Sequence, residues 1–363
     1  MTRLTRVQQR ARTRAMVLAA ARQEFVEYGY AVAKIDRIAE RAELTRGAVY
    51  SNFPGKRALY LAVLVELAGT QDHGSPVSPE GPAFASEVLG AFARTWLERL
   101  PLAGEGRPRP HSLTGVIDDD HGRLVLTQLA HLEALLLALA LEAAEPSGPR
   151  RVRVAELALT SLNGASAMAE LAPGFGDPFD HARAVEHLAS LDLGDTWAPA
   201  HLPYVEPATP CRDAWTPPAR MTDQITGESF DVAEDGVVVV LGAARLSAAE
   251  EAVRAAKRGE RVTVAVVTGD PANTGALVRL RIGDLVACLR GARPSHAWDG
   301  LKLVVDDHAA IAAAAGVDET GDETEAAVRV HERAIVARSR GRGGAGHAAA
   351  TAEPTARSRG ASA

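Results

Sequence analysis

Apolar side chains recur at helical spacing over the first half of the chain and gather into short β-branched runs over the second. Val17, Leu18, Ala21, Phe25 and Tyr28 follow a helical period that stops at Gly29. Ile35, Ile38, Ala39 and Ala42 mark a second, shorter helix. Thr45 is placed to cap a third, running from Arg46 to Asn52 with Val49 turned inward. Pro54 and Gly55 stop it, and Lys56 opens a long fourth helix. A Pro/Gly/Ser-rich stretch over 73–82 reads as a loop. Helical patterns resume at about 82–102, 121–144, 149–172 and 180–191. The second of these carries Leu124, Leu129, Leu132, Leu135, Leu136 and Leu139, with Leu126 and Leu137 on the far side, so it is apolar nearly all round and central to a bundle.

Residues 194–218 hold six prolines and read as a stiff extended linker. The period then changes. Runs at 237–241 and 262–267, bounded by glycine, predict buried parallel strands with a helix between them at 247–258. A third strand is expected at 301–305, a short helix at 309–315, and a hairpin from 326–330 and 334–338. The tail, 342–363, has no apolar period and reads as disordered.

Composition narrows the class. Aromatic residues are 4% of the 363, which favours helix-rich packing over a β-sandwich. Two cysteines, Cys211 and Cys288, exclude a disulfide scaffold and suit a reducing cytosol, so a cytoplasmic location is expected. No apolar run is expected to span a membrane, because Glu133 and Glu142 interrupt the best one. The basic start lacks the apolar segment of a signal peptide. The net charge of −6 conceals an asymmetry. Residues 1–60 carry 12 Lys and Arg against 5 Asp and Glu, while the rest of the chain carries 28 against 41. A basic module on an acidic body points to a polyanion as partner of that module only.

Two short helices joined by a three-residue turn form a helix-turn-helix, over 34–53 here. The first residues of its second helix are those that meet base edges in a major groove. They are Thr45, Arg46, Gly47 and Ala48. Arg46 can bond a guanine through O6 and N7. Gly47 and Ala48 let the backbone approach. Tyr50, Asn52 and Lys56 suit phosphates. The run Ile38-Ala39-Glu40-Arg41-Ala42, then Leu44-Thr45-Arg46-Gly47-Ala48-Val49-Tyr50, then Phe53, Lys56 and Leu59, resembles the DNA-binding domain of tetracycline-repressor (TetR/AcrR) regulators. The resemblance covers about 50 residues. It implies a dimeric repressor that reads a near-palindromic operator in double-stranded DNA, with a body that binds a small-molecule effector and then releases DNA. It also implies DNA contacts at Lys34, Thr45, Arg46, Gly47, Ala48, Tyr50, Asn52 and Lys56. The chain departs from the pattern in three places. Ala33 and Lys34 stand where the family has a Thr or Ser cap, Glu43 where the turn usually has Gly, and Asn52 where it usually has His.

The stretch 149–172 shows two apolar faces, one through Ala155, Ala158, Leu159, Leu162, Ala165 and Ala169, the other through Val154, Leu157, Gly164, Met168 and Leu171. One face suits the bundle and the other a second copy of the chain. Leu162, Gly164, Ala165 and Met168 are the expected homodimer contacts. Phe84, Phe92 and Trp96 are candidates for an effector pocket, with the bland alternative that they are core. Asp118, Asp119, Asp120 and His121 have the composition of a metal site but suit helix capping better, so no metal and no cofactor is expected.

The last module, 219–341, resembles the thioredoxin-like fold, especially its peroxiredoxin-like branch. Met221-Thr222-Asp223, Thr226-Gly227-Glu228, the strand at 237–241, Leu303-Val304-Val305-Asp306 and Gly316-Val317 carry that resemblance. Redox chemistry in that fold needs a thiolate at the helix start after the first core strand. That segment is Gly242-Ala243-Ala244-Arg245-Leu246-Ser247, without cysteine, and Thr324-Glu325 stand where a cis-proline is usual. The expectation is a multidomain chain. It is all-α in its N-terminal two-thirds, with a helix-turn-helix head at 10–70 and a helical effector-binding and dimerisation body at 71–193. The linker 194–218, a small non-catalytic α/β thioredoxin-like domain at 219–341 and the tail follow. The function expected is a DNA-binding regulator and not an enzyme. The alternative is a thiol oxidoreductase fused to a regulatory head.

Overall fold

A computed structural model describes residues 5–70, 84–100, 113, 115–197, 200–292 and 296–351. The predicted loop at 73–82 lies outside the described residues. The chain divides into two compact units. The first comprises residues to Asp195 together with Asp270–Ala297, and the second comprises Thr196–Gly269 with the chain from Trp298 onward.

The first unit is helical. Its head consists of α1 (Arg6–Val32), α2 (Ile35–Arg41) and α3 (Arg46–Asn52), and α4 (Lys56–Thr70) leads out of it. Val17, Phe25, Ile38, Val49, Phe53 and Leu59 are buried together, and Tyr60 meets Phe25 edge-on at 4.9 Å. Gly29 has φ 69°, a left-handed conformation that breaks the helix as its glycine predicts, although the chain re-enters a last turn to Val32.

The body adds α5 (Ala85–Glu98), α6 (Asp120–Ala144), α7 (Val152–Leu171) and α8 (Pro178–His187). Asp119 caps α6 by accepting from the Gly122 amide at 2.7 Å, and it also pairs with Arg57 of α4 at 2.6 Å. Helix α6 is long and apolar enough to cross a membrane, which corrects the expectation that no stretch reaches that length. Its leucines 129, 132, 135, 136, 137 and 141 are nonetheless buried inside the bundle. Phe92 and Trp96 are core residues of α5, with the Trp96 indole donating to the Ser166 hydroxyl at 3.1 Å, whereas Phe84 is exposed.

A twelfth-hour addition from the sequence's far end completes this unit. The π-helical turn Pro271–Gly275 leads into α10 (Ala276–Leu289), which packs on α4, α5 and α6. Arg281 of α10 forms a buried, two-pronged ion pair with Glu133 of α6, both arms at 2.7 Å. Arg99 pairs with Asp284 and donates to the Cys288 sulfur at 2.8 Å. The expected domain 219–341 is therefore interrupted: residues 270–297 belong with the helical body.

The second unit is built on a six-stranded sheet in the order β1-β8-β7-β4-β5-β6. Its strands are β1 (Thr209–Ala214), β4 (Gly236–Gly242), β5 (Val262–Val267), β6 (Leu301–Val305), β7 (Glu325–His331) and β8 (Ala334–Arg340). A separate ribbon pairs β2 (Met221–Thr222) with β3 (Ser229–Phe230). Strands β4, β5 and β6 run parallel, with Val237 opposite Val262 and Val262 opposite Leu301. The hairpin β7-β8 is antiparallel. Every residue of β4 and β5 is buried, as a parallel strand covered on both faces requires. Helices α9 (Ala249–Ala255), α11 (Ala310–Ala314) and α12 (Gly344–Ala350) pack around it.

Two expectations are corrected here. Part of the linker is strand β1, because Thr209–Ala214 satisfies the open edge of β8. Part of the tail is α12, which buries Ala345, Ala348 and Ala349 and whose Ala349 carbonyl accepts from the buried Arg329 at 2.7 Å. Residues 352–363 lie outside the described residues.

Candidate nucleic-acid interface

The turn between α2 and α3 is held by its own backbone. The Glu43 amide donates to the Glu40 carbonyl at 3.0 Å and the Leu44 amide to the Ala39 carbonyl at 2.9 Å. Glu43 has φ 53°, so a non-glycine residue occupies the left-handed position that the chain's departure from Gly raised. Thr45 caps α3 as predicted, its hydroxyl accepting from the Ala48 amide at 3.2 Å. That cap points the first turn outward: Thr45, Arg46 and Gly47 are exposed, and Ala48 is half-buried.

Lys34 precedes α2 without a side-chain cap bond. The missing cap is supplied from α1. Glu24, fully buried, accepts from the Lys34 amide at 3.1 Å and from Arg37 Nε at 2.6 Å, and it pairs with Arg41 at 3.3 Å. A single carboxylate thus fixes the start of α2 and neutralises two of its arginines. Sequence reasoning missed it, although an acid between Ala21 and Phe25 on the buried face of α1 is the signal that could have found it.

The other expected contact residues divide. Arg46 is exposed, pairs with Asp36 at 3.3 Å and lies 5.6 Å from the centre of the Tyr50 ring. The ion pair is weak at this exposure and leaves the guanidinium available to a stronger acceptor. Tyr50 is exposed on the same side. Asn52 is half-buried and its amide donates to the Ala48 carbonyl at 2.8 Å, so it stabilises the end of α3. Lys56 donates to the Ala31 carbonyl at 3.1 Å and sits over the Tyr30 ring at 4.8 Å. Burial pushes its ammonium below the ordinary lysine value, partly offset by Glu24. Lys34, Arg46 and Tyr50 are the charged or aromatic groups of the set that face solvent.

The position where the alternative reading would need a thiolate is closed. The Gly242 amide donates to the Thr324 carbonyl at 2.7 Å and the Ala244 amide to the Asp322 carbonyl at 2.8 Å. A Cβ at Gly242 would stand 2.2 Å from the Asp322 carbonyl oxygen. Arg245 bonds Glu325 through Nε at 3.0 Å. Cys211 is half-buried on β1 and burial pushes its thiol up. Cys288 is buried in α10, where burial pushes the thiol up to about 12.

Of the expected dimer contacts, Gly164 and Met168 are exposed and Ala165 is half-buried. Leu162 is fully buried within the subunit, which corrects its assignment: it belongs to the inner face with Ala158 and Leu159.

Residues 17–63 match the sequence profile of bacterial regulatory proteins, tetR family, so this segment is a tetR-type helix-turn-helix head. No curated protein matches the chain. Among solved structures, a transcriptional regulator of Streptomyces coelicolor is similar at 21% identity and a TM-score of 0.31, covering 49% of this chain and 96% of its own. The transcriptional regulator FadR of Bacillus subtilis, in complex with stearoyl-CoA, is similar at 17% identity and 0.31, covering 48% and 96%. A tetR-family regulator of Mesorhizobium loti is similar at 17% and 0.20, covering 52% and 96%.

Proposed function

We propose that the chain is a cytoplasmic, dimeric transcriptional regulator that binds operator DNA through α3, without chemistry, and is released by an effector. The observation that carries the reading is the head itself: the profile match over 17–63 coincides with a capped α3 whose first turn is exposed. Arg46 reads a base pair from the major groove, Gly47 and Ala48 allow close approach, and Tyr50 and Lys34 hold phosphates. Two heads of a dimer would read half-sites one helical turn apart, about 34–36 Å. Leu157, Gly164, Met168, Leu171 and Phe179 offer the apolar surface for that dimer.

The α/β unit supports a thioredoxin-like reading through its order. A parallel β4-α9-β5 unit, an antiparallel hairpin beside the first strand and a closing helix are the pieces that fold needs. The closed position at Gly242 favours a binding or interaction role over thiol catalysis. The test of the whole reading is recovery of duplexes from a randomised DNA pool by the full chain. A shared near-palindromic sequence is expected. Retention of no sequence above background, with the protein folded, would overturn it.

A further inference from the structure

Helix α1 begins at Arg6, but no residue of it is buried before Val17. Its first eleven residues form an arm about 16 Å long at 1.5 Å per residue. All are exposed except half-buried Thr13. The matched family segment starts at residue 17, so the arm lies outside it.

The arm's charge is arranged against its own helix. Residues 5–23 contain no acid, while Arg6, Arg10, Arg12 and Arg14 stand in three turns. Arg6 occupies the first helical position, where the helix dipole disfavours a cation. Arg6, Arg10 and Arg14 are spaced i, i+4, i+8, and like charges at that spacing repel. The repulsion is felt at Arg14, whose guanidinium is pushed below its ordinary value by burial first and by Arg10 second. The arginines further along the head are engaged by carboxylates: Arg37 and Arg41 by Glu24, Arg46 by Asp36, Arg57 by Asp119. Among the described residues, none of the ion pairs includes Arg6, Arg10 or Arg12.

The ridge is continuous with the DNA-reading element. Arg14 donates to the Asn52 carbonyl at 3.3 Å and its guanidinium carbon lies 4.3 Å from the centre of the Phe53 ring. The basic ridge therefore starts at the carboxyl end of α3 and runs away from it along α1.

We propose that Arg6, Arg10 and Arg12 form a basic arm that binds the phosphate backbone of duplex DNA outside the base pairs read by α3, lengthening the site without adding sequence information. This rests on the DNA-binding reading above. Phosphates would cancel both the mutual repulsion and the dipole mismatch, and guanidinium is the side chain suited to their geometry.

The test uses the full chain, a sequence recovered from the randomised pool, and two duplexes. One ends at the selected base pairs, and the other carries about eight further pairs on each side. Wild type should bind the long duplex about tenfold tighter. The triple variant Arg6→Gln, Arg10→Gln, Arg12→Gln should lose that gain while keeping short-duplex affinity within about twofold. Its log–log salt slope on the long duplex should be shallower by about 2 to 3, near 0.9 per lost phosphate contact. The matching triple lysine variant should retain the gain. Glutamine is a good helix former and the arm packs on nothing, so the variant should fold as wild type. An unchanged long-to-short ratio and slope in the glutamine variant would overturn the proposal, as would equal losses on both duplexes. If wild type bound neither duplex, the regulator reading itself would fail, a result distinct from either of these.

Discussion

At the scale of single residues, base reading and phosphate holding can be separated. Arg46 is the only long donor at the start of α3, and Tyr50 stands one turn later on the same exposed side. Arg46→Ala should weaken operator binding by roughly 1–3 kcal/mol and relax preference at one base pair, with little effect on scrambled duplex. Tyr50→Phe removes one hydroxyl and should weaken both duplexes by similar, smaller factors. Paired titrations at one salt concentration decide this, and equal loss on both duplexes for Arg46→Ala would reassign it to phosphate. Glu43→Gly should stabilise the head by about 1 kcal/mol, since glycine relieves the left-handed conformation. It should also tighten DNA binding by removing a negative charge, and thermal melting and titration read the two effects separately. The cap at Thr45 and the start of α4 at Lys56 were legible because both signals are local in sequence. The cap of α2 was not, because Glu24 supplies it from ten residues away across a helix–helix contact.

At the scale of elements, the most consequential contact joins α6 and α10. Arg281 and Glu133 are both buried and doubly bonded. Removing one partner leaves a buried charge, so Glu133→Ala should destabilise the helical unit by roughly 3–5 kcal/mol. The double variant Glu133→Leu, Arg281→Met should recover most of that loss, because apolar groups of similar volume need no partner. Chemical denaturation of the three proteins measures the difference, and additive losses in the double variant would show that the pair is not what holds α10. This arrangement was invisible in the sequence: Glu133 read as an interruption of an apolar run, and nothing local ties it to a residue 148 positions on. Strand periodicity gave β4, β5, β6 and the hairpin within a residue or two. It failed at β1, where Pro210 masks a strand that only an edge position permits, and at α12, where glycine and alanine carry no apolar period. In both cases the element exists because a neighbour covers it.

At the scale of the whole molecule, the open question is assembly. Helix α7 buries Val154, Ala155, Ala158, Leu159 and Leu162 within the subunit. Its opposite side leaves Leu157, Gly164, Met168 and Leu171 in solvent at intervals of seven, four and three, one helical stripe. Leu171, Phe175 and Phe179 are each more than 75% exposed. A contiguous apolar surface of that kind on a DNA-binding protein calls for a partner, and an isologous contact with a second copy satisfies it with one surface. The two faces of α7 predict opposite outcomes for two aspartates. Leu162→Asp buries an unpaired carboxylate in the core and should unfold the helical unit whatever the assembly state. Met168→Asp places the same group in solvent in a monomer, so it should leave the circular-dichroism melt of a monomer unchanged and oppose only association. Sedimentation at micromolar concentration should therefore show a wild-type dimer and a folded Met168→Asp monomer. The monomer should also bind a single half-site about as well as a wild-type subunit while losing the gain that two linked heads give on the full operator. A Met168→Asp protein that remains dimeric would move the interface off this stripe, and a wild-type monomer would remove the dimer from the proposed mechanism.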